Sequence, residues 1–279
     1  MIIQPQEHDY LNWIKCVPRD GDLLFFTDQG ANEMTDLPFP LLPREQVKAQ
    51  GLRTWTLNAR SWYGYALNQA EYCAWLPTGT IEKLNPAQRM RLAEEQRRLN
   101  VPTVFEDLWL TSQTWLDLSL KEQLKRIKLW AIKNEIHSYT SMALECLPAI
   151  ALGELKNIGY DQLLNRFPSS SGPNCFATAA GAVVKENRSD FYNQWMHWPD
   201  LNRLLVELDF VEIDPSGPQP GDVFSFLKEK NPIHAAYYLG AGIFFEKPGQ
   251  DLYEPYRVDS FSDWKINWPG TQLSIWRKT

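Results

Sequence analysis

Residues 172–184 constrain the fold of this chain more than any other segment. They read Gly-Pro-Asn-Cys-Phe-Ala-Thr-Ala-Ala-Gly-Ala-Val-Val. Asn174 is a residue type that favours the N-cap of a helix, so the segment predicts a helix over residues 175–187 with Cys175 in its first turn. Apolar residues recur along it at helical spacing, and small residues let a sheet approach closely. The apolar stripe is Phe176, Ala179, Ala180, Val183 and Val184, and the small residues are Ala177, Gly181 and Ala182.

Helical patterns precede this segment and β-like runs follow it. Helices are predicted over 87–99, 116–135 and 138–147, the first capped by Asn85-Pro86 and the last ended by Pro148. Strands are predicted over 22–27, 222–227, 234–239, 243–247 and 272–277. The length of 279 residues suits one large or two small domains, and the change of pattern favours two. We therefore predict an α+β fold: a mainly helical region of unknown role over 1–159, and a domain over 160–279 in which a helix packs on a small antiparallel sheet.

The charge and the cysteine pattern exclude several classes of function. Lys and Arg number 28 and Asp and Glu number 34, a net charge of −6, so the whole chain is not a neutraliser of nucleic acid. Basic helical stretches at 86–99 and 118–135 carry compensating acids and predict solvated faces, with nucleic-acid binding as the open alternative. Four widely spaced cysteines predict reduced thiols, no metal site and no cofactor. Without a signal or membrane-spanning pattern, we expect a cytoplasmic protein that binds no membrane.

Cys175 is the candidate nucleophile. A thiol in the first turn of a helix lies at the positive end of the helix dipole and beside unpaired N–H groups, and both stabilise a thiolate. Nucleophilic cysteines require this environment. The alternative is an inert cysteine buried on a core helix.

His234 and Glu246 are the candidate base and orienting carboxylate. His234 begins an alternating run, and Gly240-Ala-Gly242 separates that run from a second one that contains Glu246. A three-residue loop pairs residues whose numbers sum to 480 or 482. Either register puts both side chains on one face, directly opposite or diagonal, whereas a two-residue loop puts them on opposite faces. Lys247 is an alternative ionic partner for Glu246, and His197 is a fallback for the third catalytic position.

These residues, in this order, resemble the NlpC-type papain-fold cysteine peptidases. The resemblance covers about residues 160–279: a cysteine at a helix start, then Pro220-Gly-Asp-Val-Phe-Ser-Phe226, then His234 followed by Tyr-Leu-Gly, then a polar residue twelve positions later. The chain departs from the family at the nucleophile, where Asn-Cys-Phe-Ala replaces the usual Asp-Cys-Ser-Gly. The resemblance implies a papain-like fold, with Tyr160 and Asn174 as the candidate substrate-binding residues.

The resemblance also implies a function. Members of the family cleave amide bonds, often in bacterial cell-wall peptides, through a thioester formed on cysteine. We therefore expect a cysteine peptidase or amidase that acts on a peptide or a small amide, with Cys175, His234 and Glu246 as its triad and without metal or cofactor. The alternative is a non-catalytic interaction protein that retains a papain-like scaffold. A protein partner of residues 1–159 is compatible with either reading.

Overall fold

A computed structural model describes residues 1–49, 56–101, 103–105, 108–136, 139–184, 188–191, 194–214 and 217–279. The chain divides into two units. One is Tyr10–Asn134, and the other combines Met1–Asp9 with Glu135–Thr279. The boundary therefore lies at 134/135, about 25 residues before the 159/160 boundary predicted from the sequence.

The unit of residues 10–134 contains helices around a small sheet. Its helices are α1 (Glu7–Cys16, which begins in the other unit), α2 (Asp28–Glu33), α3 (Arg44–Ala49), α4 (Leu57–Gln69), α5 (Pro86–Arg98), α6 (Ser112–Asp117) and α7 (Leu120–Lys133). Its strands are β1 (Gly21–Phe26), β2 (Leu42–Pro43), β3 (Tyr72–Pro77), β4 (Val104–Phe105) and β5 (Leu108–Trp109). The predicted helix at 87–99 and the predicted strand at 22–27 are confirmed within two residues. The helix predicted over 116–135 is divided between α6 and α7.

Strands β1, β3 and β2 form an antiparallel sheet that the sequence pattern indicated only at β1. Leu24 and Phe26 of β1 and Ala74 and Leu76 of β3 alternate into one apolar cluster, which Leu92 of α5 covers. Helix α5 is held at its start by a capping box between Asn85 and Gln88. The unit is therefore mixed, with more helix than strand but with a sheet in its core.

The unit that includes Glu135–Thr279 is a six-stranded sheet covered by helices. Its helices are α8 (Ala149–Asn157), α9 (Cys175–Val183), α10 (Trp198–Glu207) and α11 (Phe261–Asn267), and its strands are β6 (Phe210–Ile213), β7 (Val223–Lys228), β8 (Asn231–Gly240), β9 (Ile243–Glu246), β10 (Arg257–Ser260) and β11 (Gln272–Lys278). The strand order is β10-β9-β8-β7-β11-β6, and every neighbouring pair is antiparallel. The predicted antiparallel sheet with a helix packed on it is confirmed.

Alternation along the strands sends side chains to two apolar layers. Val223, Ala235 and Tyr237 belong to the layer shared with α8, α9 and α10. Phe224 and Ala236 belong to the layer on the other face, which α11 covers. Because β8 is buried on both faces, its residues from His234 to Gly240 are all buried.

The helix predicted over 138–147 is wrong. Ser138 lies outside the described residues, and the stretch that follows it contains only a short 3₁₀ turn at Leu144–Cys146. Pro148 begins the next helix, α8, instead of ending the previous one. Ala151 and Leu155 of α8 are fully buried in the core that contains β8. This packing explains why the domain boundary lies before α8.

Candidate active site

Asn174 positions Cys175 in the first turn of α9. The Asn174 Oδ1 accepts a hydrogen bond from the Ala177 backbone N–H at 3.0 Å, which is the predicted N-cap geometry. The Nδ2 of Asn174 donates to the Met196 carbonyl at 2.7 Å and fixes the segment before α10. Because its donor and its acceptor both hold backbone groups, the structure gives Asn174 a scaffolding role and does not support the predicted substrate contact.

A β-bulge brings His234 and Glu246 onto the same face of the sheet. The turn between β8 and β9 contains two residues, Ala241 and Gly242, both with positive φ. On its own, a two-residue turn would place the side chains of His234 and Glu246 on opposite faces of the sheet. The register shifts between Tyr238 and Gly240, however, so that Tyr237 pairs with Phe245 and the pair numbers sum to 482. The predicted three-residue loop is wrong, and the diagonal arrangement predicted for the 482 register is the one observed.

His234 is completely buried and bound at one nitrogen. Its Nε2 lies 2.7 Å from Glu246 Oε2. Its ring stacks on Trp268 with centroids 4.3 Å apart and planes inclined by 18°, and it meets the Phe226 ring in a T-shaped arrangement with centroids 5.0 Å apart. These contacts hold the plane of the imidazole, so the ring has one orientation.

Cys175 acts on the same imidazole. Burial alone lowers the pKa of His234, but the negative charges and hydrogen bonding of Cys175 and Glu246 outweigh it and raise the pKa to about 10. Nδ1 has no hydrogen bond of regular geometry within the described part of the chain. Cys175 is close enough to the ring to affect its pKa, although no hydrogen bond of regular geometry joins the two side chains. Cys175 itself is 6% exposed.

Glu246 is held as a carboxylate. Its Oε1 accepts from Arg257 Nε at 3.1 Å and from Arg257 Nη2 at 3.0 Å. Burial raises the pKa of Glu246, but the charges of His234 and Arg257 and their hydrogen bonds lower it to about 2. The predicted alternative partner, Lys247, is buried and donates to the carbonyls of Gly249 and Asp251 at 2.8 and 2.7 Å. Lys247 therefore organises the following loop and leaves Glu246 to His234 and Arg257.

Tyr160 has a structural position, which corrects the prediction that it binds substrate. Its side chain is fully buried, its hydroxyl donates to the Thr178 carbonyl of α9 at 3.3 Å, and its ring packs on Phe245. A Cβ added to Gly181 would lie 2.1 Å from the Tyr160 hydroxyl oxygen. Gly181 therefore makes room for Tyr160, and Tyr160 has no surface for a substrate.

The motif around Pro220 also has a structural role. Asp222 Oδ2 accepts from the Gln219 backbone N–H at 2.7 Å and from Arg277 Nη2 at 2.7 Å. These bonds tie the start of β7 to β11. His197, the fallback third residue, is exposed at the N-cap of α10, while Glu246 occupies the position beside His234.

The sequence reasoning missed three residues of the site: Arg257, Asp259 and Trp268. Arg257 and Asp259 alternate in Arg-Val-Asp, so a strand there puts both charges on one face. That signal was present in the sequence, but three residues alone do not identify a strand. Trp268 follows α11 and reaches His234 only through the tertiary fold.

The described residues contain no group of three or more His, Cys, Asp or Glu side chains arranged to hold a metal ion. Within the same residues, no helix is long and apolar enough to cross a membrane. All four cysteines are described and free, with Cys146 exposed and the other three buried. Comparison of the chain with protein-family models, with curated proteins and with solved structures gave no match.

Proposed function

We propose that the unit containing residues 135–279 is a thiol-dependent amidase or peptidase of papain-like type. The observation that carries this proposal is the buried His234–Glu246 pair, with 2.7 Å between Nε2 and Oε2, beside a Cys175 side chain close enough to raise the pKa of His234. A nucleophile, a base and a carboxylate that orients the base are the three components of a catalytic triad. Their order along the chain and their elements, a helix start followed by two paired strands, agree with the NlpC-type resemblance.

The proposed reaction is acyl transfer to Cys175. The Cys175 sulfur attacks the amide carbonyl carbon, and the oxygen becomes an oxyanion that accepts from the Cys175 backbone N–H. Protonated His234 gives its proton to the leaving amine as the C–N bond breaks, which leaves a thioester and a neutral imidazole. His234 then takes a proton from water, the resulting hydroxide attacks the thioester, and the acid and the thiol are released.

The substrate class follows from the chemistry of the site and from the resemblance. An acylating cysteine accepts a peptide bond or a small amide, and the resemblance adds bacterial cell-wall peptides as the first group to test. Glutamate as the third residue and the altered residues around Cys175 suggest a substrate different from that of typical relatives. We therefore propose a broad panel of amides.

The test is amine release together with capture of the acyl-enzyme. The wild-type protein is incubated with peptide anilides and cell-wall peptides, quenched with acid and weighed intact by mass spectrometry. We expect amine release and a mass increase equal to the acyl group in the wild type, and neither in Cys175→Ala. His234→Ala should lose about 10²–10⁴-fold in rate. Equal amine release by Cys175→Ala would contradict the proposal.

One observation favours the alternative of a non-catalytic interaction protein. Cys175 is 6% exposed and His234 is fully buried, so a substrate needs an opening that reaches the sulfur. A protein that kept only the scaffold would show no acyl-enzyme with any amide and no enhanced thiol reactivity. Capture of the acyl-enzyme and the reactivity of the Cys175 thiol therefore separate the two functions.

A further inference from the structure

Arg257 lies between two buried carboxylates. It is directly opposite Glu246 in the pairing of β9 with β10, and Asp259 is two residues further along β10 on the same face. The Arg257 Nη2 is 3.0 Å from Glu246 Oε1 and 2.7 Å from Asp259 Oδ2. One guanidinium nitrogen therefore contacts both acids, and the Arg257 side chain is only 11% exposed.

Asp259, at the other end of the network formed by Glu246, Arg257 and Asp259, is held by α11 and lines a cavity. Asn267 Nδ2 donates to Asp259 Oδ2 at 2.9 Å. A cavity of about 400 Å³ is lined by Arg257 and Asp259 together with residues 140–142 and part of α11. Asp259 therefore borders this cavity, whereas Glu246, at 2% exposed, faces His234.

We propose that Arg257 is a positioning residue that keeps Glu246 bound to His234 by standing between the Glu246 and Asp259 carboxylates. This inference rests on the proposed function. Two carboxylates at one site without a cation share a proton, because both cannot ionise so close together. A proton shared between Glu246 and Asp259 would withdraw negative charge from His234. Arg257 donates to Glu246 Oε1 through two nitrogens, which favours the ionised form of Glu246, so that the proton stays on Asp259 and Glu246 Oε2 remains with His234.

The surrounding charges agree with this role. From β8, His234 faces Glu246. Burial, the negative charge of Glu246 and a hydrogen bond with the Glu246 carboxyl raise the pKa of Asp259 to about 7, against the opposing charge of Arg257. Asp259 is therefore the carboxyl of this pair that takes up a proton. Tyr139 also favours the charged form of Arg257 and so raises the pKa of Arg257. From α11, Asp263 accepts from the Ser260 N–H and hydroxyl and is engaged in the helix cap.

The experiment measures the rate of iodoacetamide alkylation at Cys175 from pH 5 to pH 9, by residue-level mass spectrometry on the full chain. Arg257→Met should slow the reaction about tenfold or more at pH 6, with recovery as the pH rises and the shared proton is lost. Arg257→Met combined with Asp259→Asn should return the rate to within about threefold of the wild type, because no second carboxylate remains to share the proton.

Arg277→Met is the matched control, since Arg277 forms an equivalent pair with buried Asp222 at 2.7 Å and does not contact Glu246. It should leave the pH profile unchanged. A wild-type profile for Arg257→Met, or no rescue by Asp259→Asn, would overturn the inference and leave the proposed function intact. If Arg257→Met does not fold, the double variant decides, because it retains the net charge of the cluster and must be reactive. An unreactive Cys175 in the wild type would overturn the proposed function itself.

Discussion

At the scale of single residues, the chemistry depends on how burial competes with charge. His234 is fully buried, which by itself favours the neutral ring, yet the nearby negative charges raise its pKa to about 10. Glu246 is buried as well, yet His234 and Arg257 lower its pKa to about 2. In both residues, the effect of the charged and hydrogen-bonded partners on the pKa outweighs the effect of burial. The charged forms of His234 and Glu246 therefore persist across the neutral pH range.

Replacing Glu246 with Gln tests this electrostatic support. The amide keeps the shape of the side chain but removes the charge that favours the imidazolium. We expect Glu246→Gln to slow alkylation of Cys175 at pH 6 about tenfold or more. Glu212→Gln is the control, because Glu212 lies on β6 at the opposite edge of the sheet and binds Ser274. Equal rates for the two variants would refute a role for Glu246.

Asp22, in the other unit, is a residue whose charge opposes folding. Burial raises the pKa of Asp22 to about 6 despite two bonds from Ser112, whereas an unfolded Asp titrates near 3.9. The folded state therefore binds the proton more tightly, and stability falls as the pH rises from about 4 to about 6, by about 2–3 kcal/mol. Asp22→Asn should remove that part of the fall. Denaturant unfolding of both proteins at pH 4.5 and 7.5 measures it, and parallel curves would contradict the prediction.

At the scale of elements, the site depends on one helix start, one bulge and one close contact. The N-cap at Asn174 fixes where α9 begins, the bulge before Gly240 fixes which face Glu246 occupies, and Gly181 lets Tyr160 pack under α9. The first of these was predictable from the residue type at position 174. The bulge was not, because the residues of the turn do not distinguish the predicted three-residue loop from a two-residue turn next to a bulge, and both put Glu246 on the face of His234.

The same comparison explains the other errors of the sequence reading. Strands β7, β8, β9 and β11 carry apolar runs and were predicted, whereas β6 (Phe-Val-Glu-Ile) and β10 (Arg-Val-Asp-Ser) are short and contain charged residues and were not. Tyr160 lies at a plausible distance before Cys175 along the chain, and the sequence has no signal that its ring turns into the core. Arg257 and Trp268 reach the site from separate elements, so only the fold brings them there.

Gly181→Ala tests the close contact beneath α9. An added Cβ would meet the Tyr160 hydroxyl oxygen at 2.1 Å, so the free energy of unfolding should fall by about 1–3 kcal/mol, although alanine favours helices. Tyr160→Phe alone should cost about 1 kcal/mol through the lost hydrogen bond to Thr178. The double variant should lose less free energy of unfolding than the two single variants added together. Denaturant titration of all three variants measures this difference. Strict additivity would mean that the two side chains do not meet.

At the scale of the whole molecule, all the proposed chemistry lies in one unit. Cys175, His234, Glu246 and Arg257 belong to the unit that contains Glu135–Thr279, whereas Tyr10–Asn134 has its own sheet and core. The unit that contains Cys175 begins before α8, whereas the sequence reading assigned α8 to the N-terminal region of residues 1–159. The role of the other unit is a separate question from catalysis.

Leu155→Ala tests where the unit that contains Cys175 begins. Leu155 is fully buried in the core that also holds Ala177 and Tyr237. Its truncation should lower the free energy of unfolding of this unit by about 2–5 kcal/mol. Ile150→Ala, on the same helix but 53% exposed, is the control and should cost far less. Unfolding is followed by hydrogen exchange in β8, and unchanged protection there would contradict the assignment of α8 to this unit.

The central claim is that His234 activates Cys175. The most direct measurement is iodoacetamide alkylation at about pH 6, followed by residue-level mass spectrometry, in the wild type and in His234→Ala. An ordinary thiol, with a pKa near 8.5, reacts slowly at this pH. We predict that Cys175, although 6% exposed, reacts faster than exposed Cys146 and that His234→Ala abolishes the difference. If Cys175 reacts no faster than Cys16, Cys73 and Cys146, or if His234→Ala has no effect, the claim is wrong.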